Sequence, residues 1–317
     1  MVYRCAILDD YQNVALKMAD WASLKPDVEV HVFDKPLANA AEVKRSLQGF
    51  NIVSAMRERT PFPREVIEGL PALKLLITTG MANKSIDLAA CKGRITVCGT
   101  QGVGNPTTGV AFGLMLELTR RIGFENTRMK AGEPWQTTIG PDLEGLTLGI
   151  IGLGKLGKRV AGIAQAFGMK VLAWSPNFTV EKAEAAGVTY ASKADLLREA
   201  DIVTIHMQLG ERTVGLLGAA DLAQMKPSAF LVNTSRGPLV DEGALVDALM
   251  AKRIGGAGLD VFNVEPLPPG HPFRSLENVV MTPHLGYVTT QNYKKNYGDV
   301  VEDIRAFIKG TPVRVLA

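Results

Sequence analysis

Three polar side chains stand where this chain could perform acid–base chemistry. Arg236 follows the apolar run 229–235, Glu265 follows a second apolar run, and His284 ends a third one in Met-Thr-Pro-His-Leu-Gly. A histidine titrates near neutral pH and can pass a proton to or from a carbonyl oxygen. A carboxylate bonded to the ring fixes its orientation, and an arginine offers a planar fork that fits a substrate carboxylate. The three residues therefore form a chemically coherent set.

The elements that must position this set are short parallel strands. Open α/β sheets bind their ligands at the carboxyl ends of the strands, which is where all three residues fall. Strands are predicted near 3–9, 28–34, 52–57, 73–79 and 95–99, and again near 147–151, 169–174, 201–206, 229–234, 257–261 and 279–282. Helical patterns lie between them, so the sequence predicts two parallel sheets covered by helices on both faces.

A glycine-rich turn opens the second series of strands. The strand near 147–151 ends in Gly152, Gly154 and Gly157, and an amphipathic helix near 155–167 follows. The first glycine allows the bend, the second lets the backbone approach a pyrophosphate, and the third lets the helix pack close to the strand. The N–H groups at the start of the helix attract phosphates. Because both the strand and the helix are present, the turn predicts dinucleotide binding ahead of a purely structural role.

The length of the chain and the order of its elements predict two domains. A sequence of 317 residues is long for one core. One long helix is predicted from Pro106 to Lys130, and an amphipathic helix near 289–308 is expected to fold back onto the first sheet. This gives a discontinuous domain of 1–100 and 290–317, with a dinucleotide-binding domain of 101–289 inserted into it. The expected fold class is α/β, with two Rossmann-like, doubly wound parallel-sheet domains and the reaction site in a cleft between them.

Composition excludes several classes of function. The apolar fraction of 46% and charged fraction of 21% are typical of a soluble globular protein, and a net charge of +3 with scattered Lys and Arg argues against nucleic-acid binding. Three cysteines form no metal-ligand spacing or paired framework, so we expect reduced thiols, no metal and a cytoplasmic protein. No apolar run reaches a membrane span, and the first residues read as a strand rather than a signal peptide.

Four segments together carry a resemblance to a known family. The glycine turn is followed in order by Asn233–Asp241, Leu259–Leu267 and Asn278–Gly286. In this the chain resembles the D-2-hydroxyacid dehydrogenase family, which includes phosphoglycerate dehydrogenases and glyoxylate/hydroxypyruvate reductases. The resemblance is strong over 144–290 and weaker in the first hundred residues, where Leu73–Gly80 is similar to the substrate-side strand of the family.

The resemblance implies hydride transfer between a nicotinamide cofactor and a small D-2-hydroxy or 2-keto acid. It implies that His284 is the proton donor and acceptor, Glu265 its pairing carboxylate and Arg236 the residue that binds the substrate carboxylate. Implied cofactor-binding residues are Gly152, Gly154, Lys155, Leu156, Gly157, Ser175, His206, Thr234, Ser235, Arg236, Asp260, His284 and Gly286, with Asp260 near the nicotinamide carboxamide. Implied substrate-binding residues are Thr79, Gly80, Met81, Ala82, Arg236 and His284. The family also implies a homodimer that involves the helix from Pro106.

Other residues leave their roles open. Arg57 is either a surface charge or a substrate contact, and His206 is favoured as a backbone or structural contact near the cofactor rather than a catalyst. Trp135 is favoured as a packing residue, with a partner surface as its alternative, and Trp135 and Tyr287 are also candidate substrate contacts. Small and apolar residues at Met56, Met81 and Ala82 favour a compact or apolar substituent over a phosphate.

The choice of cofactor and the class of function each have an alternative. NAD enzymes usually carry an acidic residue about 20 positions after the glycines, but Ser175 occupies this place and no Arg or Lys is adjacent to it. Ser175 and Asn177 suit either ribose hydroxyls or a phosphate, so NAD is favoured and NADP is left open. The alternative function is a non-catalytic, NAD(H)-sensing regulatory protein on the same fold. A formate-handling enzyme is disfavoured, because that branch is expected to pair its histidine with glutamine.

Overall fold

The computed structural model describes residues 2–317, which cluster into two compact units. Unit 1 comprises Met1–Gly104 and Val288–Ala317, and unit 2 comprises Asn105–Tyr287. Numbered along the chain, the strands are β1 (Tyr3–Ile7), β2 (Val28–Val32), β3 (Ile52–Ala55), β4 (Leu75–Thr78), β5 (Thr96–Gly99), β6 (Thr147–Ile151), β7 (Lys170–Trp174), β8 (Thr189–Tyr190), β9 (Ile202–Ile205), β10 (Phe230–Asn233), β11 (Gly256–Leu259) and β12 (Val279–Met281). The helices are α1 (Ala15–Met18), α2 (Ala40–Ser46), α3 (Arg64–Glu68), α4 (Leu88–Cys91), α5 (Thr107–Arg120), α6 (Ile122–Lys130), α7 (Lys155–Ala166), α8 (Val180–Glu184), α9 (Lys193–Glu199), α10 (Ala219–Leu222), α11 (Glu242–Met250) and α12 (Thr290–Ile308).

Unit 1 is built on a parallel sheet. Its described residues form five strands in the order β2-β1-β3-β4-β5. The central strands β3 and β4 are buried along their whole length, because helices cover both faces of the sheet. The last helix, α12, packs against α1 and β4, and the C-terminal residues add an antiparallel bridge between Val315 and Cys98 of β5.

Polar side chains on α12 hold the segment that ends the first stretch of unit 1. The Oδ1 atom of Asn292 accepts the Val103 N–H at 3.2 Å, and Asp299 accepts the Gln101 N–H at 2.8 Å. Between them, Thr100 Oγ1 donates to Asn296 Oδ1 at 3.1 Å. The segment 100–103 is therefore fixed to the helix rather than left as a loose connection.

Unit 2 is built on a larger parallel sheet. Its described residues form seven strands in the order β12-β11-β10-β9-β6-β7-β8. The strand order therefore runs outward from β6 in both directions, as in a doubly wound sheet. Separate apolar clusters cover its two faces. Together with unit 1, this confirms the predicted α/β fold class of two doubly wound parallel sheets.

The predicted single helix from Pro106 to Lys130 is wrong. Its helix α5 ends and α6 begins around Arg121, whose backbone is left-handed with φ 48°. The carboxylate of Glu117, in the last turn of α5, accepts the N–H groups of Gly123 and Phe124, so the first turn of α6 is capped by a side chain of α5. A sharp break between the two helices results.

The three cysteines are buried free thiols, and all of them belong to unit 1. Burial raises the pKa of Cys5 to about 12. Burial, together with the nearby negative charge of Asp303, also raises the pKa of Cys98 to about 12.

Among residues 2–317, no helix combines the length and apolar character that crossing a bilayer requires.

Candidate active site

The three acid–base candidates come from neighbouring strands of unit 2. Arg236 follows the carboxyl end of β10, Glu265 follows that of β11, and His284 follows that of β12. These strands lie side by side in the sheet, and each ladder between them is parallel. The three residues are far apart in the sequence, but they lie together at the carboxyl ends of these three adjacent strands.

Glu265 and His284 form a direct pair. The Nδ1 atom of His284 lies 2.6 Å from Oε2 of Glu265, and the other carboxylate oxygen accepts the Phe262 N–H at 2.9 Å. Burial alone would raise the pKa of Glu265. The hydrogen bond and charge of His284, the Phe262 N–H and the positive charge of Arg236 outweigh burial, so this pKa lies below its ordinary value. An ionised carboxylate thus orients the ring through Nδ1 and leaves Nε2 as the nitrogen outside this pair.

A second carboxylate holds the loop that carries His284. Asp260 is fully buried, and its Oδ1 accepts the Thr282 hydroxyl at 2.5 Å and the Leu285 N–H at 2.7 Å. Its Oδ2 accepts the Gly286 N–H at 2.8 Å. His284 itself has a left-handed backbone with φ 52°, which a non-glycine residue adopts only when its surroundings enforce it. Asp260 supplies that enforcement on both sides of the histidine.

The Arg236 loop is fixed by its neighbours. Asn233 donates from Nδ2 to the Arg236 carbonyl at 2.8 Å, and Arg236 donates from Nη1 to the Ser235 carbonyl at 2.7 Å. A Cβ added at Gly237 would overlap the backbone of Phe262 and Asn263, so only glycine lets this loop lie against the loop that leads to Glu265. This close approach places the positive charge of Arg236 near the His–Glu pair.

The glycine turn has the geometry of a dinucleotide cradle. Gly152 has φ +99°, and a Cβ there would overlap the His206 carbonyl. A Cβ at Gly157 would overlap the Gly152 carbonyl, whereas a Cβ at Gly154, the N-cap of α7, would meet open space. The first and third glycines are thus needed for packing, and the second leaves the backbone open to a phosphate. Lys155 is exposed, and Leu156 is half-buried in the first turn of the helix.

Buried polar atoms next to this turn fit a bound dinucleotide. Thr234 Oγ1 and His206 Nδ1 are buried and have no hydrogen-bond partner among residues 2–317. They follow β10 and β9, which are paired strands, while Ser235 Oγ is occupied by the Ile205 carbonyl at 2.8 Å. Burial lowers the pKa of His206 to about 4, so the ring is neutral at physiological pH and a poor proton donor. Its geometry suits a cofactor contact rather than catalysis.

The substrate-side candidates of unit 1 form a compact pair of loops. Arg57, with φ 54°, donates its N–H to Thr79 Oγ1 at 2.9 Å and its Nη1 to the Thr79 carbonyl at 3.3 Å. Asn83 donates to the Arg57 carbonyl at 2.6 Å, and Thr100 accepts the Gly80 N–H at 3.0 Å. These loops follow β3 and β4, and they expose Met81 and Ala82.

Several residues of the site escaped the sequence reasoning. Thr282 and Asn83 act through hydrogen bonds that no local pattern signals, and Thr107 donates to the Gly286 carbonyl at 2.9 Å. Gly237 carried a signal, since a glycine directly after a candidate arginine suggests close backbone approach. Tyr287, already a candidate substrate contact from the sequence, packs edge-on against the His284 ring at 5.3 Å between centroids.

Trp135 and Met56 lie elsewhere than expected. Trp135 is 74% exposed, so the expectation that it packs within this chain is wrong. Met56 is buried, and its sulfur accepts the Thr79 hydroxyl, so it does not face a substrate.

A dinucleotide turn and a histidine–carboxylate pair on one edge of a doubly wound sheet are the features expected of a nicotinamide-dependent dehydrogenase. The family model described as "D-isomer specific 2-hydroxyacid dehydrogenase, NAD binding domain" matches residues 112–286. A hydroxypyruvate reductase of Blautia hydrogenotrophica is 32% identical over 314 residues, which cover 94% of each chain. A D-3-phosphoglycerate dehydrogenase of Synechocystis is 37% identical over 263 residues, covering 82% of this chain and 47% of the relative. The crystal structure of a phosphoglycerate oxidoreductase from Vibrio cholerae superposes with a TM-score of 0.92 at 34% identity and covers 98% of this chain and 100% of its own.

The chain belongs to the D-isomer specific 2-hydroxyacid dehydrogenase family, as its sequence resemblance implied. Its matched domain is a NAD-binding domain, and its relatives are enzymes, which favours catalysis over the regulatory alternative. The chain spans about half the length of the Synechocystis phosphoglycerate dehydrogenase.

Proposed function

We propose that this chain interconverts small D-2-hydroxy acids and 2-keto acids with His284 as the proton donor and acceptor. The observation that carries the proposal is the 2.6 Å contact between His284 Nδ1 and Glu265, on the sheet edge that also holds Arg236 and the glycine turn. Bound at that turn, the nicotinamide cofactor would supply or accept the hydride. The discontinuous unit 1 is the substrate domain in this proposal, and unit 2 is the dinucleotide domain.

Each side chain then has one task. The Arg236 guanidinium binds the carboxylate of the acid and draws charge toward the neighbouring carbonyl oxygen. In the reductive direction, the imidazolium of His284 gives the proton on Nε2 to that oxygen; in the oxidative direction, neutral Nε2 takes it back. Glu265 stabilises the imidazolium and holds the tautomer with a proton on Nδ1.

The substrate we favour is a compact keto acid of the glyoxylate or hydroxypyruvate class. In the loop 79–83, the N–H groups of Thr79 and Gly80 donate to Ala55 and Thr100, so the backbone N–H groups of Met81 and Ala82, with the side chain of Arg57, are the proposed substrate contacts of unit 1. The exposed neighbours Met81 and Ala82 are small or apolar, which supports a short substituent over a phosphorylated one.

We also propose that the chain forms a homodimer through α6 and the residues after it. No residue of α6 is buried. Exposed apolar side chains gather on this stretch, and large exposed apolar patches mark interaction surfaces. They are Ile122, Phe124, Met129, Trp135 and Ile139.

The function is tested by initial rates on a panel of keto acids, run with NADH and NADPH in parallel. We expect turnover of glyoxylate or hydroxypyruvate, and little turnover of the oxidised form of 3-phosphoglycerate. The variant His284→Ala should lose at least about a thousandfold in kcat while binding NADH as before. Tight cofactor binding without turnover on any keto acid would favour the regulatory alternative, and full activity of His284→Ala would reject the assignment of that residue.

A further inference from the structure

We propose that unit 2 binds the 2′-phosphate of NADP(H) on the loop after β7, through Ser175, Asn177 and Lys182, and therefore binds NADPH more tightly than NADH. The inference rests on the proposed function, because it concerns the same cofactor site, and it names the form of the cofactor that this site prefers.

The position of the loop follows from the glycine turn. The Gly152 N–H donates to the Trp174 carbonyl at 2.8 Å, so the turn lies directly beside the end of β7. Ser175 is the first residue after that strand and stands 18 positions after Gly157. In dinucleotide-binding folds, the residue at this place faces the hydroxyls of the adenosine ribose.

The charge of the loop differs from that of a site built for NAD. An acidic residue here would bond the ribose 2′-hydroxyl and repel a 2′-phosphate. Ser175 is half-buried and neutral, and Asn177 is exposed at the tip of a turn in which the Phe178 N–H donates to the Ser175 carbonyl at 3.0 Å. Both side chains carry hydrogen-bond donors and no negative charge.

A lysine from α8 reaches this loop, although no Arg or Lys is adjacent to Ser175 in the sequence. Lys182 lies in α8, and its Nζ donates to the Asn177 carbonyl at 3.0 Å. An ammonium group has three donors, so this bond anchors the charge at the loop and leaves two N–H groups for a phosphate. The fold thus supplies the cation that the adjacent sequence lacks.

The acidic residue next to Lys182 on α8 is Glu181, in the first turn of the helix. A hydrogen bond with Thr179 lowers the pKa of its carboxyl. Thr179 also accepts the Lys182 N–H as the N-cap of α8, so the short helix is held in the orientation that directs Lys182 onto the loop. Glu181 is fully solvated, and its repulsion of a phosphate is weakened by water.

Binding of nucleotides that lack nicotinamide tests the inference separately from catalysis. Isothermal titration compares 2′,5′-ADP, which carries the 2′-phosphate, with 5′-ADP, and NADPH with NADH. We expect the 2′-phosphate to tighten binding by about tenfold, equivalent to about 1.4 kcal/mol. The variant Lys182→Met should remove most of this ratio while the affinity for 5′-ADP stays within about twofold, and Ser175→Asp should invert the ratio, because the new carboxylate repels the 2′-phosphate and bonds the 2′-hydroxyl. The control Lys170→Met removes an exposed lysine at the opposite end of β7 and should leave the ratio unchanged.

The outcomes are distinguishable. Equal affinities for 2′,5′-ADP and 5′-ADP, or a ratio that survives Lys182→Met, would overturn the inference while turnover with NADH would leave the proposed function intact. Failure of every nucleotide to bind the folded wild-type chain would overturn both. Circular dichroism of Ser175→Asp and Lys182→Met establishes that each variant is folded before its affinities are compared.

Discussion

The Nδ1 atom of His284 contacts one oxygen of Glu265 at 2.6 Å, while the other oxygen of that carboxylate accepts a backbone N–H three residues earlier in its own loop. The backbone thus holds the Glu265 carboxylate in place, and the carboxylate in turn holds the His284 ring. Because one oxygen is held by the backbone, the carboxylate cannot rotate away from the ring without losing a hydrogen bond. The orientation of the His284 ring therefore depends on the loop that follows β11.

The variant Glu265→Gln should lose activity and a pH-dependent part of its stability. The amide keeps the shape of the side chain but not its negative charge, so we expect kcat for reduction to fall by about 10- to 100-fold. As pH rises, kcat should also begin to decline at a lower pH than in the wild type, because the imidazolium has lost its counter-charge. The pKa of Glu265 lies below its ordinary value, so its contribution to stability is complete above about pH 4.3 and is lost as pH falls through the folded pKa.

Urea unfolding at pH 7, 5 and 3.5 measures this contribution. The difference between wild type and Glu265→Gln should shrink toward the lowest pH, whereas the exposed control Glu277→Gln should show no such trend. A difference that grows with acidity would contradict the assigned direction.

The variant Asp260→Asn should impair the histidine loop without removing any reacting group. One carboxylate oxygen would become an amide that faces a backbone donor, so the braces to Leu285 and Gly286 cannot both persist. We expect kcat to fall about 10- to 100-fold, since the positioning of His284 is lost while the histidine itself is kept. Thr282→Val removes a single brace and should cost less. Wild-type kcat in Asp260→Asn would show that the loop needs no such support.

The variant Gly237→Ala should separate the Arg236 loop from the Glu265 loop. The added methyl overlaps backbone atoms rather than a movable side chain, so the loops must shift, at a cost of about 1–3 kcal/mol. Denaturant unfolding should report that loss, and kcat/KM should fall with it. Gly270→Ala meets open space and should change stability by less than about 0.5 kcal/mol. Equal behaviour of the two variants would argue that the close approach has no consequence.

The variant Met129→Glu should disrupt the proposed dimer. Met129 is 66% exposed on α6, and a buried charge there would oppose association. Light scattering after size exclusion should give two chains per particle for the wild type and one for the variant. Met250→Glu changes a methionine that is 64% exposed on α11 and should leave the mass unchanged. A monomeric wild type would reject the proposal.

The sequence predicted the long-range plan of the fold better than its short elements. Strands such as β3 and β4 were predictable because both their faces are buried, which makes them continuous apolar runs. Helices α3, α4 and α8 have only four or five residues, so each carries little of the apolar periodicity from which a helix is predicted. The break at Arg121 depends on a cap from Glu117 and on a backbone conformation rare for arginine.

At the candidate site, the sequence indicated chemistry but not support. His284, Glu265 and Arg236 were selected because their side-chain types suit proton transfer and because each follows a strand. The hydrogen bonds of Asp260 and the approach of Lys182 to the β7 loop depend on how loops fold back, which spacing alone does not encode. Exposure of Trp135 was missed for the same reason, because an aromatic side chain reads as core unless its surroundings are known.

The distribution of the three thiols gives the molecule an internal reporter. Cys5, Cys91 and Cys98 all lie in unit 1 and are buried, and burial keeps their sulfurs protonated and unreactive. A thiol-specific dye added to the native protein should therefore react only as fast as that half of the molecule opens. The labelling rate would therefore report the local opening of unit 1 alone, because all three cysteines lie in that unit.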